Sequence, residues 1–340
     1  MRHTLLGRIG AALALVLVPT VPAQAQSAGF ESAFDSAFGT EVRAPRDFAP
    51  EYEDLLEAQI AQLANGRDGR IGVAAIDLTS GRNISVLGDQ RFPMASTSKI
   101  AIAATFLEGV DQGRWSLTSE FPLMWPVRSQ PFSTTAAPVR KGDYMSAVDL
   151  IDLMITRSSN PATDALLAAV GGPSVVNDWA RRAGLPDFEL TRDIATLVRD
   201  DGEFDPAKHI DRRDSATPDT MVALLSGLYQ GRWLSASSRE VVIDAMERCR
   251  TGSRRIPALI PEDVTVAHKT GSLNNTSSDI GILTAPDGRS FVVAIYVTGQ
   301  GSRRNRESRI ASIARAIYDG YANDPRQFAN AGYGERTSVN

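Results

Sequence analysis

The stretch RFPMASTSKIAIAATFLEGV, residues 91–110, marks the change from strand to helix on which the fold reading turns. Beyond Pro93, residues Ile100, Ala103, Phe106, Leu107 and Val110 recur at helical spacing, so a helix with one apolar face is expected there. Before it, residues 71–78 and 84–87 are rich in Val and Ile and flank Thr79-Ser80-Gly81-Arg82, which reads as a two-strand hairpin. Earlier still, Leu55, Leu56, Ile60 and Leu63 share one helix face, and Gly66 stops it. After the stretch, helical patterns dominate. Ala147, Leu150, Ile151 and Met154 form one. Asn160-Pro161 opens another, with Asn160 as cap, and Gly171-Gly172 closes it. Thr217-Pro218 repeats the device, and residues 235–250 form a further helix. Strand-like runs return at 264–268, 279–283 and 290–297, with Pro286-Asp287-Gly288 as a turn. A closing helix carries Ile310, Ile313, Ala314, Ile317 and Tyr321 on one face. The order predicts an α/β two-lobed fold: an antiparallel sheet built from both chain ends and flanked by helices, with an all-α lobe inserted. We expect the α/β lobe at about 50–92 and 240–325, the helical lobe at about 93–239, and a tail at 326–340.

The first 25 residues read as an export leader. Arg2, His3 and Arg8 are basic, residues 9–18 are apolar, and Ala23-Gln24-Ala25 is a small-x-small cleavage signal. The apolar run is shorter than the roughly 20 residues a spanning helix needs, so no stable membrane anchor is expected. Residues 26–49 read as a linker. An exported, periplasmic or secreted domain follows. Its single cysteine, Cys249, leaves no internal disulfide, and it reads as a half-buried helix residue with no partner to lower its pKa. The net charge of -4 and the lack of a basic run argue against nucleic acid. A monomer is expected.

Three short motifs carry chemistry. In Ser96-Thr97-Ser98-Lys99 the two end residues share a helix face, so the amine can approach the hydroxyl. A buried lysine loses its charge readily and could then take the serine proton. S-x-x-K alone is weak, occurring by chance on the order of once per chain of this size. A capping serine with a solvent-facing lysine is the bland alternative. Yet the chain has lysine only at 99, 141, 208 and 269. Ser158-Ser159-Asn160 offers a relay hydroxyl and an amide for substrate, although Asn160 equally suits a helix cap. Lys269-Thr270-Gly271-Ser272 follows a strand run. An edge strand ending in a cation, a hydroxyl and a glycine can pair with an extended substrate, with Gly271 removing bulk and Lys269 attracting a carboxylate. A Ser-His-Asp hydrolase is excluded by the absence of G-x-S-x-G and by only two histidines past the leader, His209 and His268.

The order S-x-x-K, S-x-N, K-T-G resembles that of the penicillin-recognising serine hydrolases, closest to the class A β-lactamases. Residues 90–99, 158–164 and 251–256 are similar to their nucleophile, S-D-N and arginine-bearing segments, and the likeness runs over about 50–321. It implies an acyl-enzyme at Ser96, activation by Lys99, proton relay through Ser158 to the departing nitrogen, Lys269 as a further active-site residue at the substrate carboxylate, and no metal or cofactor. The backbone N–H groups of Ser96 and Ser272 would form an oxyanion hole. Asn160, Thr270, Gly271, Ser272 and Arg255 would bind substrate, a β-lactam or a peptidoglycan stem peptide. Two departures stand out. Ser159 replaces the S-D-N aspartate. After Thr191-Arg192 no E-x-x-L-N follows, and Leu197 falls near the place of the glutamate that activates the deacylating water. Glu203 and Asp193 are the candidate substitutes. Three functions follow as expectations: a β-lactam hydrolase with slow deacylation, a D,D-peptidase, or a sensor that keeps its acyl group.

Overall fold

A computed structural model describes residues 40–42 and 54–323. The leader, most of the linker and the C-terminal tail lie outside the described residues.

The central sheet has five antiparallel strands in the order β3 (Asn83–Val86), β2 (Ile71–Asp77), β11 (Ser290–Thr298), β10 (Thr276–Thr284) and β9 (Thr265–Leu273). Both chain ends thus meet in one sheet, as the strand order implied. Strand β11 lies in the middle and is buried on both faces. Phe291, Val293, Ile295 and Val297 join one apolar cluster with Ile60 of α1 (Leu55–Leu63) and Ile310, Ile313 and Ile317 of α9 (Arg303–Ala322). Val292, Ala294 and Tyr296 point the other way, into the cluster of the helical lobe. This period-two division of one strand is what joins the two lobes.

The helical lobe is built from α2 (Lys99–Asp111), α3 (Ala147–Thr156), α4 (Asn160–Val170), α5 (Pro173–Arg182), α7 (Pro218–Tyr229) and α8 (Ala236–Glu247). Most open on a side-chain cap: Ser146, Ser159, Thr217 and Ser235 each accept the N–H three residues on. Helix α2 is buried nearly all round, which explains its run of small and apolar residues. A second antiparallel pair, β5 (Glu120–Pro126) with β6 (Val139–Ser146), was not expected from the sequence. Three linker residues also pair: β1 (Thr40–Val42) runs antiparallel to β7 (His209–Asp211).

The loop after Thr191 carries a six-residue helix, α6 (Ile194–Arg199). Its ends are tied together by Asp214, which accepts from the Thr191 and Arg192 N–H groups at 2.8 and 3.1 Å and from Arg192 Nε at 2.6 Å. The short pair β4 (Phe92–Pro93) with β8 (Ser215–Ala216) fixes this loop beside the nucleophile segment.

Candidate active site

Ser96 sits in a single 3₁₀ turn, Ala95–Ser98, that runs directly into α2. Ala95 holds a left-handed φ of 48°, a strained setting for an alanine, and Ser158 shares it at 57°. Strained backbone therefore frames the site on both sides. Ser96 is partly exposed, whereas Lys99, three residues on, is fully buried.

The Lys99 amine donates to the Ser158 carbonyl at 2.8 Å, to Ser158 Oγ at 3.2 Å and to Asn160 Oδ1 at 2.8 Å. The Lys269 amine donates to the same Ser158 Oγ at 3.0 Å and to the Thr270 carbonyl at 3.0 Å. One hydroxyl thus bridges two buried amines. Burial and the Lys269 charge hold Lys99 well below the ordinary lysine range, against the pull of Asp164. Burial pushes Lys269 down to about 8, although the Cys249 and Asp279 groups oppose it. No side-chain hydrogen bond engages Ser96 among the described residues, and the Lys99 amine expected to approach it bonds Ser158 and Asn160 instead.

Two predicted residues take up different places from those expected. Asn160 does not cap α4. Ser159 does, accepting from Ala162 N–H, and this frees the Asn160 carbonyl for Lys99. The serine standing in for aspartate therefore has a local task. Arg255, expected at the substrate carboxylate, is only 1% exposed. Its guanidinium donates to the Gly271 and Ser278 carbonyls at 2.8 and 2.7 Å and to Ser272 Oγ at 2.6 Å, and pairs with Glu307 at 3.3 Å. It stands behind Ser272 and orients that exposed hydroxyl.

The K-T-G segment lies inside β9, at the sheet edge, rather than after a strand. Thr270 Oγ1 is 2.6 Å from Thr251 Oγ1. Gly271 is needed for a different reason from substrate bulk. A Cβ there would meet Ser278 Oγ at 2.4 Å and the Met94 carbonyl oxygen at 2.7 Å. The missing side chain lets β9 press against the turn that holds Ser96. Gly271→Ala should therefore cost about 1–3 kcal/mol by overpacking and slow acylation of Ser96, read as a lower Tm and a lower capture rate. An unchanged Tm and rate would show that the strand and the turn do not depend on this contact.

The missing glutamate is genuine. The loop holds no E-x-x-L-N, and the places its glutamate could take are Leu197, near which it is expected, and Ile194, three residues before it. Both are buried and apolar. Of the two candidate substitutes, Glu203 pairs with Arg213 at 2.8 Å and Asp193 caps α6 through Thr196 N–H at 2.7 Å. The sequence reading passed over a third carboxylate, Asp164, in which Oδ1 accepts from Ile194 N–H at 2.7 Å and Oδ2 from Ala195 N–H at 2.9 Å.

Cys249 also differs from expectation. It follows α8, and its thiol lies 3.4 Å from Thr251 Oγ1. Burial would raise its pKa, but a bond to His268 and the charge there outweigh this and bring it to about 7. His268 is buried, with Nδ1 3.0 Å from both Asp279 oxygens. Burial opposes its charge, yet Asp279 and Cys249 raise it to about 10. This cluster backs the Lys269 strand.

Known proteins resemble this chain over most of its described length. The model of the β-lactamase enzyme family matches residues 55–321. The chain is 28% identical over 295 residues to the extended-spectrum β-lactamase PER-1 of Pseudomonas aeruginosa, covering 83% of this chain and 90% of the relative. It is 29% identical over 265 residues to an imipenem-hydrolysing β-lactamase of Enterobacter cloacae, covering 76% and 87%. Among solved structures, an ancestral class A β-lactamase superposes with a TM-score of 0.65 at 33% identity, over 78% of this chain and 99% of that one. With the motifs, the fold and the family model in agreement over nearly all the described residues, the chain belongs to the class A β-lactamase family.

Proposed function

We propose that the protein hydrolyses β-lactams through an acyl-enzyme at Ser96 and acts outside the cytoplasm. The observation that carries this reading is the Ser158 hydroxyl held between two buried amines, 3.2 Å from Lys99 and 3.0 Å from Lys269. Neutral Lys99 takes the Ser96 proton as Ser96 Oγ bonds to the lactam carbonyl carbon. The negative charge that develops on the carbonyl oxygen is met by the N–H groups of Ser96 and Ser272. As the C–N bond breaks, the proton passes from Lys99 through Ser158 to the departing nitrogen. The Asn160 amide faces the substrate side chain. Lys269, Thr270 and Ser272, the last oriented by Arg255, bind the carboxylate.

The apolar Ile194 favours one second reading. With no glutamate there to activate water, the acyl group should leave slowly, as suits a D,D-peptidase on peptidoglycan stem peptides. Intact-mass spectrometry after a benzylpenicillin pulse distinguishes the outcomes. Capture followed by return to the free mass supports hydrolysis. A lasting adduct with turnover of a D-Ala-D-Ala peptide supports the peptidase, and a lasting adduct without turnover indicates a sensor. Absence of any adduct overturns the acyl-enzyme reading.

The charge of Lys269 sets a pH dependence. Its folded value is about 8, so the ammonium persists below that pH and is lost above it. KM for a carboxylate-bearing substrate should rise as pH passes upward through about 8, with kcat changing less. A flat KM from pH 7 to 9 would remove Lys269 from carboxylate binding.

A further inference from the structure

The reaction proposed above moves a proton onto Lys99 and so creates a second buried positive charge beside Lys269. An uncompensated charge in such a place is costly. The groups that act on Lys99 are Lys269 on β9, which opposes its charge, and Asp164 on α4, which favours it. Asn160 and Asp164 are four residues apart on α4 and share a face. Asn160 Oδ1 is 2.8 Å from the Lys99 amine, and position 164 lies about one 5.4 Å turn further along the same face. Asp164 is only 5% exposed. Both its oxygens take backbone N–H groups, from Ile194 and Ala195, and no cationic side chain is bonded to it among the described residues. It is a buried anion with no bonded cation, one helical turn beyond the residue that bonds the Lys99 amine.

We propose that Asp164 is the counter-ion of Lys99, a positioning residue that steadies the ammonium formed when Lys99 accepts a proton and so supplies the negative charge that the loop glutamate would otherwise bring. The inference rests on Lys99 acting as the base at Ser96. The groups facing Asp164 are Lys99 from α2, Asp193 from the loop, and the two N–H groups of α6. Burial and Asp193 raise its carboxyl to about 6, against the two N–H bonds and Lys99, so it is mainly ionised at neutral pH. Anchoring α6 to α4 is the purely structural alternative, and the two roles give different readouts.

The test is 13C NMR of the full chain labelled at lysine Cε. Only four lysines are present, and Lys141 and Lys208 are exposed, so Lys→Arg changes at those positions leave the signals of Lys99 and Lys269. In the unmodified protein the Lys99 signal should show a step near pH 6 as Asp164 takes its proton, and an Asp193→Asn variant should keep that step. In Asp164→Asn the step should vanish, and the midpoint of Lys99 should move down by up to about one pH unit. The acid limb of Ser96 acylation should shift with it. A loop anchor alone would lower the rate without moving the limb. A Lys99 signal with no step near pH 6 in the unmodified protein overturns the proposal, and it does so even if Asp164→Asn fails to fold. The titration uses no β-lactam, so it can fail while penicillin capture at Ser96 persists, and the reverse.

Discussion

Replacement of Lys99 by methionine is expected to slow acylation of Ser96 by about 10²–10⁴-fold, the usual contribution of a positioned base. The fold should tolerate the change. Lys99 is fully buried, and methionine keeps its length while removing a charge that burial already disfavours, at a cost of about 1–3 kcal/mol for the Ser158 carbonyl and Asn160 Oδ1 that lose their donor. What is lost is chemical. Ser158 Oγ keeps its bond to Lys269 but no longer has a route to the nucleophile. The sign of the pH effect follows. The active amine is neutral, so the acid limb of acylation in the unmodified protein should lie far below the usual lysine range. Stopped-flow capture of a reporter β-lactam reads both quantities. A rate within tenfold of the parent would remove Lys99 from the proton path.

The second large effect concerns stability. Asp214→Ala should cost about 3 kcal/mol, near the lower end for breaking a buried ion pair, because Arg192 retains some contact with water. Two further losses add to it. The N–H groups of Thr191 and Arg192 lose their acceptor, and the left-handed φ of 52° at position 214 passes to an alanine, which tolerates it less well than aspartate. A Tm lower by about 5–10 °C is expected for a chain of this size. Since Met94 N–H donates to the Asp214 carbonyl at 3.0 Å, the loss should reach the Ser96 turn as well. Asp214→Asn keeps an acceptor for the two N–H groups and should fall between. Equal Tm values for the alanine and asparagine variants would show that the charge, rather than the acceptor, accounts for the loss.

Much of this was legible before any coordinates, and the parts that were not share a cause. Strands β2 and β11 announced themselves because both are short, almost wholly apolar runs with branched residues, bounded by turn signals. The S-x-x-K and K-T-G residues were readable because each motif is local. The hairpin of β5 and β6 was not. Pro122 and Pro126 interrupt the first strand, and Arg140, Lys141 and Asp143 hide the alternation of the second. Helix α6 is too short for a period to show. Ser159 and Asn160 are both good caps, so sequence could not say which caps α4 and which is free to bind Lys99. The partners of Arg255 and Cys249 were hidden for one reason. Their surroundings come from Glu307, and from His268 with Asp279, on elements far along the chain. Asp164 closes the 158–164 stretch but carries no motif signal of its own. Its significance depends on the Ile194 and Ala195 N–H groups, thirty residues away.

The central claim is that Ser96, and no other side chain, receives the acyl group. Ser96→Ala should be treated with benzylpenicillin beside the parent protein, and both should be weighed intact and mapped by peptide. The account predicts one adduct on the parent, located in the peptide containing residue 96, and none on the variant. An adduct of the same mass and rate on Ser96→Ala would contradict it.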